Sequence, residues 1–272
     1  MPRERILITV KTYPTLSRKY GETVCTAGIR EDGSWVRIYP VPFRRLEDGE
    51  QYSKYDWIEC ELIRGKSDPR PETRHPADLG QLYPNGHMGT DYNWRERREI
   101  LLGKAKVYAS LQELINGAKE NTLSLAVFKP TEILGFIWEE EPREWDPSKL
   151  AEMRVQTNQG ELFADESWRQ TFAVIPKLPY SFSYRFADAD GRISELQILD
   201  WETGALYWSC MRKYADEAIV LKKIKEKYLD EFIKKDLHFF LGTTQQFHFV
   251  APNPWVIIGV LPLPKEPQME LL

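Results

Sequence analysis

The chain has 272 residues, of which 42% are hydrophobic, 29% charged and 12% aromatic, a composition that excludes a disordered chain and fits one or two folded domains with real cores. No apolar run approaches the roughly 18 residues that cross a bilayer, and the longest, Trp255 to Leu261, is strand-sized. Cys25, Cys60 and Cys210 are odd in number and far apart, which argues against a disulfide framework, and a net charge of −4 argues against a generic polyanion binder.

In chain order, Ile6–Tyr13, Glu22–Ile29 and Trp35–Val41 read as strands rich in β formers, with Glu31-Asp32-Gly33-Ser34 as a turn. Tyr55–Ile63 alternates as a fourth strand, and four short strands with Gly, Pro and Asp punctuation suggest a small, curved antiparallel sheet resembling a barrel. Arg64 to Gly89 is expected to be a long irregular loop, because prolines and glycines interrupt every pattern there. Asp91–Ala105 is predicted helical, and a second helix is predicted from Ser110, an N-cap with Glu113 at the capping-box position, to about Lys119. Leu123–Trp138 returns to strand character, and the polar stretch from Glu139 to about Glu166 holds the expected domain boundary, with units 1–142 and 143–272.

The C-terminal unit is read as a segment from Phe172 to Pro179 followed by a meander: Tyr180–Phe186, a turn at Asp188–Gly191, Arg192–Leu199, a turn at Trp201–Gly204, and Ala205–Met211. A long amphipathic helix is predicted from about Asp216 to Leu241 with Gly242 as its C′ residue. Trp255–Leu261 is the last strand. The fold expected is α+β: a barrel-like sheet with a helical insertion, then a meander packed on a long helix. A single composite domain, with the last strand completing the first sheet, fits the same pattern.

The strongest functional signal lies between Trp35 and Arg74, where arginines, aromatics and prolines interleave. Flat rings beside guanidinium groups are what stacks bases and neutralises phosphates. Arg37, Arg44, Arg45, Arg64, Lys66, Arg70 and Arg74 are the expected backbone contacts, and Trp35, Tyr39, Phe43 and Tyr52 the expected stacking groups. Arg37 is expected on the strand face opposite Trp35 and Tyr39, with core packing as the competing role for each ring. Asp68 and Glu72 interleave with the loop cations, so internal salt bridges compete with phosphate contacts. Residues 1–106 carry 19 Lys/Arg against 16 Asp/Glu and the remainder 18 against 25, an asymmetry that permits a basic face on the first half.

Catalytic patterns are weaker. Leu199-Asp200-Trp201-Glu202-Thr203-Gly204-Ala205-Leu206 resembles the first motif of DnaQ-like 3′–5′ exonucleases, in which Asp and Glu one residue apart hold two metal ions. The resemblance implies Asp200 and Glu202 as metal ligands. The later motifs of that family are missing, since Asp216, Asp230 and Asp236 lack the required His or Tyr spacing. A β-turn explains Asp, Thr and Gly at these positions equally well. Asp56, Glu59 and Glu61 with Lys66 suggest a restriction-type nuclease core, but no lysine follows an acid at the right spacing. His75, His87, His238 and His248 form no metal-ligand pattern, and no phosphate-binding glycine loop is present.

The leading expectation is therefore an accessory nucleic-acid-binding protein, of DNA or RNA, that needs no cofactor. A metal-dependent enzyme on nucleic acid or nucleotides is the alternative, using Mg²⁺ or Mn²⁺ on the acidic candidates, and a protein-interaction subunit of a larger complex is the third. Met1–Arg5 leads into β-like sequence without a cleavage-site pattern, so a cytoplasmic chain with no membrane partner is expected.

Overall fold

A computed structural model describes residues 2–17, 21–46, 51–65, 68–78, 82–148, 150–151 and 174–265. The fold is mixed α+β, with a curled half-barrel sheet and few helices. The half-barrel comprises β1 (Glu4–Lys11), β2 (Thr15–Ser17), β3 (Gly21–Arg30), β4 (Trp35–Val41), β5 (Asp56–Cys60), β6 (Leu62–Ile63), β7 (Thr73–Pro76) and β8 (Tyr83–His87). Its order is β6-β7-β4-β3-β1-β5-β8, with β2 paired to β3. Gly33, at φ 87°, makes the β3–β4 turn that needs a left-handed residue.

Next come α1 (Asp91–Arg98), which runs into a wider turn at Glu99–Lys104, then β9 (Val107–Tyr108), α2 (Leu111–Lys119), β10 (Leu125–Phe128) and β11 (Glu132–Glu140). The chain continues through β12 (Tyr180–Ala187), β13 (Ile193–Gln197), α3 (Trp201–Tyr214), α4 (Glu217–Lys225), β14 (Asp236–Thr243) and β15 (Trp255–Leu263). Two further sheets form, one ordered β15-β14-β10-β9 and one ordered β11-β12-β13.

Strand alternation explains how these layers stack. In β1, Ile6 and Ile8 fill the half-barrel with Val24, Val36 and Ile38, while Leu7 turns outward onto Phe240 and Ile258 of the second sheet. In β14, Phe240 faces that interface, whereas Phe239 and Leu241 face the opposite way toward the third sheet and the helices. Both strands are thus buried on both faces, and the second sheet is the middle layer.

Three expectations change. The segment Ala205–Met211 is helical, because Asp200 caps α3 by accepting from the Glu202 N–H, so residues 201–204 are a helix start and not a turn. The helix begun at Asp216 ends in tight turns by Lys234, and Asp236–Thr243 is a strand that contains Gly242. That strand pairs with β10 on one edge and β15 on the other, and both of its faces find apolar partners. The loop from Arg64 to Gly89 contains two short strands: β7 runs parallel to β4, and β8 pairs with β5. The expected segment at Phe172 begins outside the described residues, as does most of the stretch to Glu166. Among the described residues, no helix is long and apolar enough to cross a membrane.

Candidate functional site

A cavity of about 380 Å³ lies between the half-barrel and the second sheet. Arg37 and Tyr39 of β4 and Cys25 of β3 form one wall, with Thr12 from the β1–β2 connection and Thr15 at the start of β2. Arg70, from the Pro/Arg loop, and Thr243 to Gln246, from the end of β14 and the loop beyond it, close the other side. This volume falls within the range that holds small ligands.

Arg37 is 1% exposed. Its Nη1 donates to Ser124 Oγ at 2.6 Å and Thr73 Oγ1 at 3.4 Å, and its Nη2 to the carbonyls of Ser124 at 2.9 Å and Thr243 at 3.4 Å. No carboxylate among the described residues lies within ion-pair distance of it, and its buried Nε has no hydrogen-bond partner. Glu72 reaches it through one intermediary: Ser124 Oγ donates to Glu72 Oε2 at 2.5 Å while accepting from Arg37. Burial, and then the neighbouring Arg70, lower the Arg37 pKa, but a guanidinium stays charged in proteins.

Arg70, 4% exposed, is compensated differently. Its Nε and Nη2 hold Asp68 in a fork at 2.9 and 2.6 Å, and its Nη1 donates to the Thr243 carbonyl. Burial would raise the Asp68 pKa, but the hydrogen bonds and charge of Arg70 outweigh it and hold the carboxyl below its usual range. His248 backs this wall. Its Nε2 donates to Asn121 Oδ1 at 3.0 Å and its Nδ1 accepts from Thr243 Oγ1 at 2.8 Å, while Asn121 Nδ2 donates to the Pro69 carbonyl at 3.1 Å. Burial first, then Arg70 and Arg37, push the His248 pKa down, so the ring is neutral at neutral pH. The loop that follows Gln246 exposes Phe247 and Phe249, at 48% and 53%.

Alternation by two puts Trp35, Arg37 and Tyr39 on the same strand face, not on opposite ones. Trp35 packs edge-on against Phe240 at 5.8 Å, and Tyr39 is half-buried on the cavity wall. Phe43 and Tyr52 meet inside the half-barrel with ring centroids 4.9 Å apart, and the Tyr52 hydroxyl bonds Thr26. These two rings are core, not a stacking platform.

Arg44 pairs with Glu22 at 2.9 Å, Arg64 is exposed, and half-buried Arg74 donates to the carbonyls of Pro71 and Thr73. Lys66 and the Arg45 side chain lie outside what is described. Of the cations proposed from the sequence, Arg37 and Arg70 come together, and they do so in the interior.

Asp56, Glu59 and Glu61 do not assemble with one another, whereas Asp200 and Glu202 meet at one lysine. Asp56 accepts from His87 and from the Ser53 N–H, Glu59 accepts from Asn85, and Glu61 sits at the break between β5 and β6. Asp200 and Glu202 each lie 3.3 Å from Lys54 Nζ. Burial opposes the charge on Lys54, yet Asp200 and Glu202 more than offset it and raise its pKa. This ion cluster and the helix cap account for the two acids of the exonuclease-like motif. Among the described residues, no group of three or more His, Cys, Asp or Glu could hold a metal ion.

Residues 107–272, more than half of the chain, match the family model of a domain of unknown function (DUF8757). The chain belongs to the DUF8757 family. Residues 2–103 match a second domain of unknown function (DUF8758). A comparison with curated proteins gives no match. The cavity joins the two matched segments: Cys25, Arg37 and Arg70 come from the DUF8758 part, and Ser124, Thr243 and His248 from the DUF8757 part. Sequence reading gave no role to Ser124 or Thr243 and weighed His248 only as a metal ligand; a local signal is the polar run Thr243-Thr244-Gln245-Gln246 after an apolar strand.

Proposed function

We propose that the protein binds nucleic acid by admitting one phosphorylated nucleotide into this cavity, rather than by tracking a backbone across the outer sheet. The observation that carries the reading is Arg37: a buried guanidinium that, among the described residues, has no contacting carboxylate and one unsatisfied N–H, in the wall of a ligand-sized cavity. Buried charges are costly unless paired, and a phosphate oxygen is the partner that guanidinium geometry suits. Arg70 adds a second cation, and the Thr and Gln side chains add neutral hydrogen-bonding groups. Phe247 and Phe249 lie on the loop that supplies Gln245 and Gln246, where flanking bases could stack. A chain of net charge −4 with cations held inside suits a site-specific contact better than a polyanion-coated surface.

The test is fluorescence anisotropy with labelled single-stranded DNA, single-stranded RNA and duplex DNA at about 50 and 200 mM salt. One phosphate held on a single strand gives a slope of about −0.7, hence about a two- to threefold loss between those salts. Arg37→Met should abolish most of the binding. Phe249→Ala, which leaves the core intact, should cost about five- to a hundredfold if a base stacks there. No binding to any of the three polymers at the lower salt would refute the reading.

A further inference from the structure

A second cavity, of about 220 Å³, lies against the first and is lined by Tyr13, Trp145, Leu178, Tyr180 and Phe182. Thr12, Thr15 and Leu199 line both. The two compartments differ in chemistry. One holds Arg37 and Arg70, and the other is mostly aromatic and aliphatic, with Gln197, Glu141, Lys177 and Asp200 also in its lining.

Several polar atoms of the aromatic compartment are tied back into the protein. Tyr13 Oη accepts from Trp208 Nε1 and donates to the Pro176 carbonyl, both at 2.8 Å, and Trp145 Nε1 donates to the Ile175 carbonyl at 2.8 Å. Lys177 pairs with Glu141 at 3.3 Å and donates to the Pro142 carbonyl at 2.6 Å. These bonds hold the Tyr13 and Trp145 rings in place in the cavity wall. A flat heteroaromatic group suits such walls, because every base has a face to stack and an edge to hydrogen-bond.

We infer that the two cavities are one bipartite site for a nucleotide, with the phosphate against Arg37 and Arg70 and the nucleobase among Tyr13, Trp145 and Tyr180. The inference rests on the proposed phosphate contact at Arg37 and adds the base compartment and the ligand unit. The unit is a nucleoside phosphate, supplied either free or as the end of a polynucleotide chain. A phosphate and a base joined through one sugar would span the Thr12–Thr15 wall that the two compartments share. The Thr12 hydroxyl is already engaged, accepting from the Cys25 N–H at 3.0 Å, so that wall is braced.

The experiment is isothermal titration of the whole chain with four nucleoside 5′-monophosphates, the matching nucleosides, inorganic phosphate, and a short oligonucleotide. It is repeated with Trp145→Ala and Arg37→Met. Trp145 sits half-buried in the connection after β11, so its removal spares the cores. A nucleotide should bind at least tenfold more tightly than either its nucleoside or phosphate. Trp145→Ala should weaken it about tenfold, a loss of about 1.4 kcal/mol, and leave any phosphate binding unchanged.

Nucleotide binding no tighter than that of inorganic phosphate would overturn the inference. So would oligonucleotide binding that Trp145→Ala does not change, although the nucleic-acid reading would survive that result. Binding of mononucleotides but of no oligonucleotide would support the bipartite site and remove the nucleic-acid reading. Binding of none of these ligands would sink both.

Discussion

Asp68→Asn isolates the role of charge in this cavity, because the substitution keeps the side-chain volume and removes one negative charge. The carboxylate accepts from Arg70 Nε at 2.9 Å, Nη2 at 2.6 Å and the backbone N–H at 3.1 Å, and from Thr73 Oγ1 at 3.2 Å. Asp68 and Arg70 are each 4% exposed, so little water is available to replace the lost partner. Removing one member of a buried pair costs about 3–5 kcal/mol, mostly because the other charge stays buried and uncompensated. Asparagine retains one acceptor oxygen, which places the loss near the lower end. With about 2–4 °C of melting temperature per kcal/mol for a chain of this size, the midpoint should fall by roughly 6–12 °C.

The double variant Asp68→Asn/Arg70→Met should recover part of that loss, with a coupling of about 0.5–3 kcal/mol. Anion binding should move the other way. Asp68→Asn leaves the cavity more positive, so phosphate or nucleotide should bind more tightly to a less stable protein. Calorimetric melting of the four proteins in the cycle, with ligand titrations alongside, reads both effects. A midpoint within about 2 °C of wild type would refute the argument, as would losses in the double variant that simply add.

Acidification should weaken the fold through His248. Its folded pKa lies below 6.5, so below that pH the unfolded chain binds a proton the folded one refuses, and stability present above pH 6.5 is lost as pH falls toward the folded value. Denaturant midpoints at about pH 7.5 and 5.5 should therefore differ, and His248→Gln should reduce the difference; identical profiles for the two proteins would dismiss the effect. Ser110→Ala removes the α2 cap that accepts from the Glu113 N–H at 3.2 Å, and thermal melting should register a loss of about 1 kcal/mol. Gly28→Ala would set a Cβ 2.5 Å from the Leu7 carbonyl oxygen and 2.5 Å from Ile6 Cγ2 in the neighbouring strand. Overpacking of this kind costs about 1–3 kcal/mol or more, and unchanged stability would mean that β1 and β3 can part at that point.

Local rules were enough where a segment's own pattern decided its structure. The β1, β3, β4 and β12 strands could be read from their β-forming residues and the turns between them, and α2 from Ser110 and Glu113, because those signals depend on neighbours a few residues away. They failed at residues 236–243. A run as short as His238-Phe239-Phe240-Leu241 satisfies helical and strand periods alike, and only the apolar partners on both sides select the strand. They failed also at α3, where an Asp followed by Thr and Gly serves a turn and a helix start equally well.

The candidate site divides in the same way. The sequence by itself marked Arg37, Arg70 and Tyr39 as chemically useful, since guanidinium and ring chemistry belong to the residue. Whether those groups face solvent or the interior depends on what covers their strand face. For Arg37 that cover is Ser124 and Thr243, 87 and 206 residues further along the chain. Contacts at such separations leave no periodic trace in the sequence, so tertiary structure alone turned an expected outer surface into a buried cationic cavity.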